Sequence, residues 1–313
     1  MGSWRQRPGT RAELRARRRS RILRRRWSVV AVVAIAAIGT TTWLSLGQRP
    51  RRVRRSLVPH APAFPRAVRR VPGAGVLRLP GVLPDRTVRL PILMYHRIDR
   101  QTARLSQLTR ILTVTPAAFA AQMAWLVRHR FHAVTQEQAY AALFKDHALP
   151  PRPVLITFDD GYRDVYTYAL PILRRLHLAA TEYVITGRIS GRDPSFLTWG
   201  ELRQAQREGL EIGSHTVTHR PLPALPASDM RQELVASRRV LEQRLGHPVQ
   251  WFAYPYGSLN RVTVAAVRAA GYVLAVTTQG GTHQAARHPL QLHRYEIRGD
   301  VGVADLAAIV TAP

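Results

Sequence analysis

The chain has 313 residues, 46% of them hydrophobic, which is enough for one large domain or two small ones with a full core. Its formal charge of +28 suggests nucleic acid, but the excess lies in two flanks: eleven Arg against one Glu in residues 1–26 and eleven Arg against one Asp in residues 48–89. Residues 90–313 carry only +8, an ordinary solvated surface that argues against a nucleic-acid partner, and the lack of Cys excludes disulfides and thiolate metal ligands.

Between the basic flanks runs WSVVAVVAIAAIGTTTWLSL, twenty residues without a charge. At about 1.5 Å rise per residue this makes a helix of roughly 30 Å, the thickness of a bilayer's hydrocarbon core. Residues 27–47 therefore read as a transmembrane signal-anchor. Residues 1–26 form a basic cytoplasmic tail under the positive-inside rule, and the rest lies outside the cytoplasmic membrane. A cleaved signal peptide is the competing reading and exports the same domain, which is then secreted. Residues 48–89, rich in Pro and Arg and lacking apolar periodicity, read as an extended spacer.

From Leu90 the pattern alternates. Short apolar runs at 91–96, 153–158, 181–186, 210–215, 249–254, 273–278 and 290–297 predict strands. Helix-like stretches intervene: 116–130, with Phe119, Met123, Leu126 and Val127 on one stripe; 228–245, with Met230, Leu234, Leu241 and Leu245; and 260–271. The expectation is an α/β domain over 90–313, a distorted (β/α) barrel of about seven parallel strands, preceded by one transmembrane helix and a Pro/Arg-rich linker. No internal repeat is evident, and nothing in the sequence points to a protein partner.

The stretch LITFDDGY puts Asp159 and Asp160 at the end of the run Val154–Phe158, with Gly161 letting the chain turn. Two neighbouring carboxylates stay ionised together most easily beside a cation, which predicts a metal. GSHTVTH follows another predicted strand. Fully extended, His215 and His219 would be about 13 Å apart, too far to share an ion, so the chain must curl after His215, as in a helical turn. Asp160, His215 and His219 then supply three ligands and leave a position open for water, the arrangement of a catalytic zinc site. Cobalt, nickel and manganese are the alternatives.

TFDDG, then HTVTH, then the PYG turn of FAYPYG, in this order, resemble the polysaccharide deacetylases with a NodB homology domain, carbohydrate esterase family 4. LPILMYH and ALPILRRLHLAATEYV resemble the branch of exported poly-N-acetylglucosamine and peptidoglycan deacetylases, and the likeness spans roughly residues 90–300. The resemblance implies a metal-dependent hydrolase that removes N-acetyl groups from an N-acetylated glycan. Asp159 would be the general base, Asp160 the metal ligand and the Tyr256 backbone N–H an oxyanion donor. His293, in LQLHRYEI, would be the general acid. Many members carry, where this chain has Ala253, an Arg that pairs with the base; Arg294 reaching across from the neighbouring strand would replace it. His96 would line the mouth, and Tyr162 and Tyr256 would contact substrate. Trp199 and Trp251 offer faces for sugar stacking, although core packing is the commoner fate of such residues. The competing functions are an amidohydrolase of a non-carbohydrate C–N bond and a catalytically silent glycan-binding protein.

Overall fold

The computed structural model describes residues 75–102 and 105–313. The expected basic tail, the span 27–47 and most of the spacer lie outside the described residues. Among the described residues no helix is long and apolar enough to cross a membrane.

Seven strands form the path of one sheet: β1 (Ile92–Tyr95), β2 (Pro153–Asp160), β3 (Ala180–Val184), β4 (Leu210–Ser214), β5 (Trp251–Ala253), β6 (Leu274–Val276) and β7 (Tyr295–Glu296). Their order is β6-β5-β4-β3-β2-β1-β7, every pairing is parallel, and a two-residue strand, His132–Ala133, adds beside the start of β2. This is an incomplete barrel of parallel strands. Strands β1 and β3 are buried along their whole length, as expected of a parallel sheet covered by helices.

The covering helices include α1 (Pro116–Arg128), α2 (Gln136–Phe144), α3 (Leu170–Arg175), α4 (Trp199–Arg207), α5 (Ala227–Leu245), α6 (Arg261–Ala269) and α7 (Val303–Thr311). Their starts are written locally. Thr115 caps α1 ahead of Pro116, capping boxes pair Thr135 with Gln138, Thr198 with Glu201 and Asn260 with Thr263, and Gly246 in the left-handed region ends α5. In α1 the buried stripe is Phe119, Gln122, Met123 and Leu126, whereas Val127 is exposed. Gln122 takes that inward place because it has partners there: its Oε1 accepts from the Tyr95 hydroxyl and its Nε2 donates to the Val301 carbonyl.

Two departures from the sequence pattern matter for function. The folded unit begins upstream of Leu90: Leu77, Leu79 and Val88 pack on the core, and Gln250 bonds both the N–H and the carbonyl of Leu77. The predicted last strand, 290–297, contracts to Tyr295–Glu296, because this segment spans the gap between the two edges of the sheet. Leu292 bridges Val276 on β6, the Arg294 N–H donates to the Gln279 carbonyl, and Tyr295 then pairs with Leu93 on β1. With all strands parallel, their C-terminal ends share one rim, where His96, Asp159, Asp160, His215 and the turn after Ala253 converge.

Candidate active site

Strand β2 runs through both acids, Asp159 opposite Tyr183 and Asp160 opposite Val184. Neighbouring strand residues ordinarily face opposite sides. Asp160 and Gly161 both have φ of 83°, and this left-handed pair breaks the alternation so that two adjacent carboxylates serve one pocket.

Asp159 is 2% exposed, and the guanidinium of Arg294, itself 1% exposed, grips both its oxygens: Nη1 donates to Oδ1 at 2.8 Å and Nη2 to Oδ2 at 2.7 Å. Arg294 is fixed in turn by Nε donating to the Thr277 carbonyl and Nη1 to the Thr157 hydroxyl. Burial alone would raise the Asp159 pKa, but the charge and hydrogen bonds of Arg294, followed by His215 and His96, bring it down to about 2. The carboxylate is therefore ionised at neutral pH. Ala253 is fully buried and carries no cation, and Arg294 supplies the positive charge beside Asp159.

The second acid faces two imidazoles. Asp160 Oδ1 lies 3.6 Å from His215 Nε2 and 3.6 Å from His219 Nε2, and the two nitrogens are 3.0 Å apart. The point equidistant from three atoms so spaced lies about 2.0 Å from each, the length of a zinc–nitrogen or zinc–oxygen bond. Asp160 Oδ1 is buried without a hydrogen-bond partner. His215 Nδ1 lies 2.8 Å from the Ala253 carbonyl, which only accepts, so Nδ1 carries the proton and Nε2 presents its lone pair. Burial, followed by repulsion from any proton carried on His215, lowers the His219 pKa to about 4, so the His219 ring is neutral at pH 7. The donor set fits a divalent ion.

The curl after His215 is a loop, not the helical turn expected. Thr216 (φ 67°) and His219 (φ 63°) are left-handed, and the Thr216 hydroxyl accepts from the His219 N–H. Glu233 on α5 pins the loop from beneath, accepting from the N–H groups of Val217 and Thr218 and from the Thr218 hydroxyl.

The expected contact residues divide. Tyr256 is left-handed (φ 59°) and 64% exposed, with its ring against His219 at 4.5 Å between centroids. Its N–H makes no backbone hydrogen bond among the described residues. Gly257 after it (φ 64°) must be glycine, since a Cβ would stand 2.7 Å from the Thr278 backbone nitrogen. Tyr162 has its faces covered by Phe196, stacked at 4.9 Å, and the Arg97 guanidinium at 4.7 Å, so it offers an edge rather than a stacking platform. His96 follows β1 directly and lies beside Asp159, since Tyr95 pairs with Phe158; its Nδ1 is buried without a partner among the described residues.

His293 is not brought to this cluster. Arg294 takes the inward direction, and the preceding imidazole packs against Gly281 instead, with the His293 backbone held by Gln284. Trp199 and Trp251 pack on the core.

Sequence reasoning passed over Glu182 and Glu233. Each left a signal: Glu182 is a carboxyl in the middle of the buried strand ATEYV, and Glu233 lies on the inward stripe of α5 beside Met230 and Leu234. Burial raises the Glu182 pKa well above the usual carboxylate range, aided by the charges of Asp159, Asp164 and Asp160 and opposed by the Gly161 N–H.

A family model described as polysaccharide deacetylase matches residues 146–275, a range holding Asp159, Asp160, His215, His219 and Tyr256 but neither His96 nor Arg294. YxkH of Bacillus subtilis (strain 168), named for the polysaccharide deacetylases, is 30% identical over 213 residues, 68% of this chain and 73% of that protein. The poly-beta-1,6-N-acetyl-D-glucosamine N-deacetylase of Escherichia coli (strain K12) is 24% identical over 236 residues, and the match spans 62% of this chain and only 34% of that one. The solved structure of the Streptococcus pyogenes deacetylase PplD in complex with acetate superposes with a TM-score of 0.67 at 28% identity, covering 72% of this chain and 99% of that one.

Proposed function

Since this chain belongs to the polysaccharide deacetylase family, hydrolases acting on carbon–nitrogen bonds, we propose that it removes N-acetyl groups from an N-acetylated cell-envelope polysaccharide, poly-N-acetylglucosamine or peptidoglycan, and releases acetate. The observation that carries the reading is an ionised, arginine-clamped carboxylate adjoining three donor atoms spaced for one divalent ion.

Asp160, His215 and His219 are the residues that would hold the ion, zinc by preference, with cobalt, nickel or manganese as alternatives. A bound ion supplies Lewis-acid polarisation of the acetamide carbonyl and acidifies water. Asp159 takes the proton from the attacking water; Arg294 uses one lone-pair direction on each carboxylate oxygen and leaves others free. As the water oxygen bonds to the carbonyl carbon, the Tyr256 N–H donates to the carbonyl oxygen on which charge develops. The C–N bond then breaks and the leaving nitrogen needs a proton. We assign that proton to His96, next to Asp159 across the β1–β2 pairing, rather than to His293, which packs against Gly281. The exposed ring of Tyr256 offers the sugar an apolar face.

The alternative of a catalytically silent binding protein is suggested by Ala253 and by the uncertain general acid; the Arg294–Asp159 pair weighs against the first of these grounds. Acetate release from N-acetylglucosamine oligomers, measured beside small N-acetylated amines, tests the substrate class. Turnover of the oligomers at far higher kcat/KM supports it, and equal or better turnover of the small amides contradicts it. The proton-donor assignment has its own test. His96→Gln should lower kcat by about 10²- to 10⁴-fold, while His293→Gln changes kcat by less than about twofold. The reverse pattern would return the role to His293.

A further inference from the structure

Four carboxyl groups crowd the C-terminal ends of β2 and β3, and three of them face partners for their charge. Asp159 has Arg294, Asp160 faces the two imidazoles, and Asp164 is bonded by Arg97 at 2.8 Å and by the Ile98 N–H at 2.9 Å. Among the described residues no cation is hydrogen-bonded or ion-paired to Glu182. It is fully buried; Oε1 accepts from the Gly161 N–H at 2.9 Å, and Oε2 is buried without a partner. Its neighbours on β3, Ala180, Thr181, Tyr183 and Val184, are buried too, so an apolar side chain would suit this position better. Leaving one polar atom unpaired there is unfavourable. An expense of this kind is retained where the group does something else.

We propose that Glu182 is a positioning residue for the ligand Asp160. Its carboxyl holds the amide of Gly161, and through it the left-handed Asp160–Gly161 pair that turns the Asp160 carboxylate out of the strand's alternation toward His215 and His219. The Gly161 carbonyl accepts from the Leu197 N–H at 3.0 Å, and the peptide joining Asp160 to Gly161 is held at its carbonyl by the Ile185 N–H at 3.4 Å and at its N–H by Glu182, so the Glu182 bond tunes the orientation of Asp160 rather than the existence of the turn. This inference rests on the reading of Asp160 as a metal ligand.

The test is zinc affinity, measured by competition with a chromophoric chelator, for wild type, Glu182→Gln, Glu182→Leu and Asp160→Ala, together with the melting temperature of each metal-free protein. Glu182→Leu should bind zinc about 10- to 100-fold more weakly, with kcat reduced, KM unchanged and the metal-free melting temperature equal to or above that of wild type. Glu182→Gln should bind within about threefold of wild type, because its amide oxygen accepts the same N–H. Wild-type affinity in Glu182→Leu, or Glu182→Gln as weak as Glu182→Leu, overturns the proposal. Wild type that takes no zinc overturns the reading of Asp160 instead. Hydrogen exchange at the Gly161 amide gives a check without substitution: protection supports the bond, and exchange at the rate of free peptide overturns it.

Discussion

Asp159→Asn is expected to retain one divalent ion per chain while kcat for acetate release falls by about 10²- to 10⁴-fold. Asparagine keeps the shape of the side chain but cannot take a proton from water. The three donors of the metal triangle belong to Asp160, His215 and His219, so the ion has no need of residue 159. Arg294 keeps the Thr277 carbonyl and the Thr157 hydroxyl as acceptors, which limits the damage to the fold. Asp160→Ala, by contrast, opens one corner of the triangle and should lose both metal and turnover. Metal analysis beside the acetate assay reads both outcomes. Equal metal loss in the two variants would remove the division of labour between the adjacent acids.

Arg294→Met should cost about 3–5 kcal/mol of stability at neutral pH, because it leaves a buried carboxylate without its counter-charge. The sign with pH follows from the depressed pKa of Asp159. In the wild type, the pair's contribution is present above the ordinary carboxylate pKa of about 4 and is lost as pH falls toward about 2. In the variant, burial is opposed only by the smaller pull of His215 and His96, so the Asp159 pKa rises. The stability gap between the two proteins should therefore be widest at neutral pH and narrow below about pH 4. The acid limb of the kcat/KM profile should move to higher pH. Arg294→Lys should restore only part of the loss, since an ammonium cannot bond both oxygens in the fork geometry. Urea titrations at two pH values and a pH–rate profile check this. A gap that is independent of pH would mean that Arg294 acts by packing alone.

The parts of the site that the sequence made legible are those whose residue types are unusual where they stand. Two acids closing an apolar run, and two histidines four apart after another, announce chemistry before any coordinates exist. Arg294 was legible as a type but not as a geometry: its reach depends on the irregular segment that spans from β6 to β1, and the sequence pattern drew that segment as a continuous strand. The same segment carries His293, whose direction the pattern leaves open. Adjacent residues face opposite ways, and nothing in LQLHRYEI says which of the pair turns inward. The curl carrying His219 depends on left-handed backbone at Thr216 and His219, residue types that do not advertise it, and on Glu233 from a distant helix. The upstream limit of the folded unit was hidden because Leu77 and Leu79 lie in Pro- and Arg-rich sequence, and only their packing and the bonds to Gln250 reveal that they belong to it.

The most direct measurement of the central claim is acetate release from an N-acetylglucosamine oligomer by the wild-type chain, first stripped of metal by a chelator and then supplied again with zinc. The expected result is release that disappears on stripping and returns with one equivalent of zinc per chain. Undiminished release from protein verified to be metal-free would contradict it.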